Sequence, residues 1–181
     1  MFKYLGLALV LISWAIVAIL FFEWRDKELS TISRHGAMNK KASLVFAMAL
    51  IGLGLPFYFW ILNWLVPILQ LGNLFKSLLF ITIVLVITTA LVPDAPGWRR
   101  QVHRFTAFSM AILYVPLVGL IANAPQISYT SHLIGTVCLI YMLISFVLLA
   151  VLGKAKHHYL VYQTLYIVAM QVAVLSAAYI R

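Results

Sequence analysis

Six long apolar stretches constrain this chain more than any other feature. They cover about residues 4–22, 42–62, 74–92, 105–122, 133–152 and 159–180, and none holds an Asp, Glu or Arg; the single Lys, Lys76, stands at the start of the third. A helix needs about 20 mostly apolar residues to cross a bilayer, where no water is at hand and the segment must satisfy its own backbone groups. The expected fold class is therefore all-α, a polytopic membrane protein whose six transmembrane helices form a bundle with short loops, one domain over 1–181. Composition agrees: 65% hydrophobic and 9% charged residues lie far from the roughly 25% charged residues of water-soluble domains.

The first stretch reads as a retained helix, because it has one Lys3 ahead of it and Phe21, Phe22 and Glu23 after it, not a basic start and a small-residue cleavage site. In the second, Gly52, Gly54 and Pro56 predict a kink. Trp60 and Trp64 bracket its far end as interfacial aromatics do. Asn63 to Asn73, with Pro67 and Gly72, reads as an apolar connector, either re-entrant or lying on the surface.

Charge orients the bundle. Ten of the 13 Lys and Arg fall in the first, third and fifth loops, as Arg25, Lys27, Arg34, Lys40, Lys41, Arg99, Arg100, Arg104, Lys154 and Lys156. Short basic loops stay in the cytoplasm, so these three loops are expected inside the plasma (inner) membrane and both termini outside. Glu23, Asp26, Glu28, Asp94, His35, His103, His157 and His158 then share the cytoplasmic boundary, with His132 alone across the membrane. Arg99, Arg100, Arg104, Lys40 and Lys41 are the expected contacts to anionic lipid headgroups, which suit the net charge of +9 better than nucleic acid does.

Within the spans, polar residues are few. Gln163, Gln171, Thr88, Thr89, Ser109 and Ser145 read as interhelical hydrogen-bonding groups, and the four-residue spacing of Ala169, Ala173 and Ala177, and of Ala107 and Ala111, as close-packing strips. Intramembrane charge of the kind that marks ion-coupled transport is missing. Cys138 is the single cysteine, which excludes a disulfide within the chain.

The candidate catalytic residues are Asp94, His103, Ser33 and His35. Asp94 and His103 could act as base and orienting acid, and Ser33 beside His35 could supply a hydroxyl, although no nucleophile-elbow or zinc-protease spacing occurs. Alternatively His103 is an interfacial histidine hydrogen-bonded to Asp94 or to a loop carbonyl. Histidine spacings match no compact metal pattern, so no metal and no cofactor is expected.

The run LVPDAPGWRRQVHRFTA, Leu91 to Ala107, resembles the signature of the bacterial six-helix membrane family catalogued as domain of unknown function 998, and ISRHG, Ile32 to Gly36, resembles the segment ahead of that family's second helix. The resemblance implies six helices, no assigned activity, and Ser33, Pro93, Asp94, His103 and Ala107 as matching positions. The turn departs from the family in carrying Val-Pro for the more frequent Phe-Pro.

The function expected from the residues is non-enzymatic binding of membrane lipids, or of a membrane-protein partner or second copy, within the bilayer. The alternative is a membrane-embedded, hydrolase-like enzyme working at the cytoplasmic interface. A haem-binding membrane protein is the weaker alternative, with His103 bordering a span closely enough to ligate.

Overall fold

The computed structural model describes residues 2–24, 31–151 and 159–180. In chain order it holds α1 (Phe2–Glu23), α2 (Ile32–Gly36), α3 (Lys40–Gly52), α4 (Gly54–Trp60), a π-helical turn (Ile61–Leu65), α5 (Val66–Leu69), α6 (Asn73–Leu91), α7 (Trp98–Ala122), α8 (Tyr129–Val151) and α9 (Tyr159–Tyr179), with no strand among the described residues. Six helices are long and apolar enough to cross a membrane: α1, the composite Lys40–Leu69, α6, α7, α8 and α9. The shortest, α6 with 19 residues, reaches about 28 Å at roughly 1.5 Å per residue, close to a bilayer's hydrocarbon thickness. Large apolar side chains such as Phe80, Phe105, Leu133, Ile140 and Val147 stand exposed on the outer faces. An outer surface of that kind is the build of a membrane bundle.

The second helix differs from expectation. It does not end at Leu62, and Asn63 to Leu69 is neither connector nor re-entrant segment but its continuation. Two prolines explain its broken course. Pro56 has no N–H for the carbonyl of Gly52, and its ring crowds that carbonyl, so the helix breaks at Leu53. Pro67 does the same to the carbonyl of Asn63. There the chain widens into the π turn, with Val66 N–H donating to Ile61 O, and continues. Gln70 in the left-handed conformation (φ 51°) ends it.

The fourth and fifth helices also begin earlier than the apolar runs do, at Trp98 and Tyr129. Gly97, at φ 88°, makes the reversal into α7 that a side chain would strain. Arg99, Arg100 and Arg104 thus stand on the first turns of α7.

α1 packs on α3, α4 and α9, and α6 on α3 and α7; α7 also meets α8, which pairs with α9. The ends of α1 and α9 meet where Tyr179 Oη donates to the carbonyl of Lys3, and Trp60 Nε1 donates to Phe2 O at 2.9 Å. That end therefore collects the start of α1 and the ends of α4 and α9. Trp60 faces into the bundle: it is 1% exposed, stacked between Phe57 and Trp64, and faces Gly6, where a Cβ would come within 2.6 Å of its ring. The alanine strip of α9 is packed as expected, with Ala169, Ala173 and Ala177 all buried.

Candidate functional site

The end of the bundle opposite the Tyr179–Lys3 contact carries the polar residues. α2 is a single turn held by its caps: Thr31 Oγ1 accepts from Arg34 N–H at 3.1 Å, and Asn39 Oδ1 opens α3 by accepting from Ala42 N–H at 2.9 Å. Between these caps His35 is fully buried. Its Nδ1 lies 2.7 Å from Thr31 O, and its ring meets Phe21 edge-on. Gly36 is needed beside it, because a Cβ there would lie 2.6 Å from the ring of Phe46.

α6 stops at Leu91 and leaves carbonyls that no later turn can satisfy. One of them, Val92 O, takes His103 Nδ1 at 2.6 Å. A carbonyl only accepts, so Nδ1 carries a proton, and Nε2 of the neutral ring is then a lone-pair acceptor. Below the ring Thr89 donates to Thr106 at 2.9 Å, and Thr106 to His103 O at 3.0 Å, which ties α6 to α7. Thr89 is thus interhelical as expected. Thr88 is not, because its hydroxyl turns back to Val84 O in its own helix.

His35 Nε2 and His103 Nε2 are buried with no hydrogen-bond partner among the described residues. An unmade bond of this kind costs about 1–3 kcal/mol. Both rings neighbour Phe46, directly for His103, whose centroid is 6.5 Å away, and through Gly36 for His35.

His103 also lines a cavity of about 190 Å³ between α1, α2, α3, α4, α6, α7 and α9. Most of its wall is apolar, from Leu9 and Val17 on α1 to Ile167 and Met170 on α9. Its polar groups are already partly engaged. Trp14 Nε1 donates to Gln171 Oε1 at 2.6 Å, Ile32 N–H donates to Gln163 Oε1 at 3.1 Å, and the hydroxyls of Tyr58 and Tyr114 share a 2.5 Å hydrogen bond. Gln163 and Gln171 are interhelical ties, as expected. Among the described residues no Asp, Glu, Lys or Arg lines the cavity.

The four residues singled out for catalysis share one end of the bundle, and two of them, Ser33 and His103, share the cavity wall. Asp94 is buried and pairs with Arg100, Nε to Oδ1 3.4 Å, while the orienting partner of His103 is the Val92 carbonyl. Ser33 Oγ stands 3.1 Å from Thr31 Oγ1. Of the expected headgroup cations, Lys40, Lys41, Arg99 and Arg104 are exposed, and Arg100 is half-buried beside Asp94. Arg25, Lys27, Lys154, Lys156, Asp26, Glu28, His157 and His158 lie outside the described residues. His132 stands at the other end, as expected, with Nδ1 on Ala122 O at 2.7 Å.

Among the described residues no three His, Cys, Asp or Glu group closely enough to hold a metal ion. The wall residues that sequence reading passed over are Trp14, Phe46, Tyr58 and Tyr114. For Trp14, Tyr58 and Tyr114 the signal was a polar atom within an apolar run, which in a helix facing only lipid would lack a partner; Phe46 carried no such signal. Comparison with family models, curated proteins and solved structures finds no match.

Proposed function

We propose that this chain is an integral membrane protein that binds an uncharged lipid, or a molecule built like one, in the cavity beside His103, without transforming it. The observation that supports this is a pocket apolar over most of its wall, with a few polar groups gathered on it and one buried nitrogen left unpaired. Binding sites for small ligands have this make-up. The exposed Lys40, Lys41, Arg99 and Arg104 at the same end favour the cytoplasmic leaflet for that end, with anionic headgroups as the counter-charge. The resemblance to the six-helix family rests on the two runs at Leu91–Ala107 and Ile32–Gly36 and brings no activity of its own.

Native mass spectrometry of protein taken from nanodiscs tests the binding. Wild type retains a lipid adduct, and Ala107→Phe, which fills the cavity from its wall, loses it. Equal retention by both, or an adduct on neither, contradicts the reading.

One observation favours an enzymatic reading as second choice: Ser33 and His103 line one cavity. A hydrolase acting through them would be labelled at Ser33 by a fluorophosphonate, and labelling would vanish in both Ser33→Ala and His103→Leu. No labelling of wild type removes it.

A further inference from the structure

Resting on the lipid-binding reading, we infer that the bound molecule is recognised through a hydroxyl group with a carbonyl close by, the polar end of a monoacylglycerol, with the hydroxyl donating to His103 Nε2. The hydrogen-bonding capacity left over on the wall carries this. Since Nδ1–H is held by Val92 O at 2.6 Å, the neutral imidazole of His103 accepts at Nε2, and its match is an O–H or N–H donor. The rest of the wall offers the opposite. The Oε1 atoms of Gln163 and Gln171 are taken by Ile32 N–H and Trp14 Nε1–H, so each amide has N–H donors to give. In the Tyr58–Tyr114 pair one hydroxyl donates to the other, and the second O–H is free to donate. A ligand that fits therefore brings a donor for His103 and an acceptor for the amides or the tyrosine.

Charge narrows the class. With no Asp, Glu, Lys or Arg among the described residues of the wall, a phosphate, carboxylate or ammonium would find no counter-charge there, which is far more costly than burying a neutral polar group. Size narrows it again. A cavity of about 190 Å³ exceeds the roughly 150 Å³ that takes up benzene, enough for a glycerol ester end but not for a long acyl chain, which stays among the surrounding lipid. Phe46, against His103 and on the cavity wall, is the ring that turns aside as the hydroxyl approaches.

The experiment titrates two probes onto the detergent-solubilised protein and reads adducts by native mass spectrometry: monoolein, and the same ester with both hydroxyls methylated. Wild type prefers monoolein by about tenfold, the effect of one satisfied against one unsatisfied buried acceptor. His103→Leu binds both weakly and alike, and His103→Gln, which returns an acceptor oxygen, recovers part of the preference. Equal binding of the two probes to wild type overturns the inference and leaves the cavity reading standing. Binding of neither overturns the inference, and joined with the loss of any co-purifying lipid it removes the cavity reading too. Should His103→Leu fail to fold, the two probes on wild type decide alone.

Discussion

Two corners of this bundle are built alike and end differently. Where α6 turns into α7, His103 donates Nδ1–H to Val92 O, and where α7 turns into α8, His132 donates Nδ1–H to Ala122 O. Each imidazole fills a carbonyl that its preceding helix leaves open. At the α7–α8 corner the ring is exposed, and its second nitrogen faces its surroundings. At the α6–α7 corner the ring is 2% exposed, and its second nitrogen has no partner among the described residues. Capping therefore does not require burial. The buried ring carries an unmet bond costing about 1–3 kcal/mol that its exposed counterpart avoids, and it does so on a cavity wall.

The rest of the two ends follows suit. Beside His132 the hydroxyls are satisfied: Ser128 donates to Ile180 O at 2.6 Å, and Ser131 lies 2.7 Å from both Ser176 O and Ile180 O. Among the described residues Gln126 Oε1 is the one buried side-chain N or O atom there without a partner. The opposite end holds the two unpaired histidine nitrogens and the Asp94–Arg100 pair. One end is closed by packing, and the other has bonding capacity to spare.

Substitutions separate packing from binding. The largest expected loss of stability is at the closed end: Trp60→Ala, which empties a fully buried site, costs about 3–5 kcal/mol in a detergent unfolding titration. Lipid adducts persist there on whatever fraction stays folded. A loss under about 1 kcal/mol would mean that the aromatic stack does not hold that end together. Next comes Gly36→Ala. Its methyl meets Phe46 at 2.6 Å, and overpacking of this kind costs about 1–3 kcal/mol. Because Phe46 also borders His103, adduct formation should change as well, and unchanged binding would detach Phe46 from the site.

The corner histidines give the smaller effects. His132→Leu loses one exposed cap hydrogen bond, about 0.5–1.5 kcal/mol, and leaves lipid binding alone. His103→Leu loses the bond to Val92 O but also removes the unpaired Nε2. The two effects oppose each other, and the thermal midpoint should move by the equivalent of under about 1 kcal/mol. A much larger destabilisation would make His103 a structural cap like His132 and dissolve the contrast.

The crossings were legible in sequence because the length of an apolar run is a local property. The helix ends were less so. Trp98 to Arg104 is helical although it lies outside the apolar runs and five of its seven residues, Arg99, Arg100, Gln101, His103 and Arg104, are polar, and Asn63 to Leu69 stays helical because the π turn absorbs Pro67. Of the site, the chain showed that His103 stands where charge gives way to apolar sequence. It could not show which nitrogen would be held. That depends on the carbonyl freed at Val92, 11 residues before His103, on α2 folding over the end, and on Gly36 admitting Phe46, contacts across chain turns that no local pattern shows. Asp94 was the natural partner by sequence, yet Arg100, six residues on and two into α7, reaches it instead.

The most direct test places a photoactivatable diazirine at the glycerol end of a monoacylglycerol, irradiates it in nanodiscs holding wild type, and maps the labelled residues. The account predicts insertion at wall residues such as Phe46, Ala49 and Met110, suppressed in Ala107→Phe. Labelling confined to outward-facing side chains such as Phe80 and Ile140, and unaffected by that substitution, would contradict it.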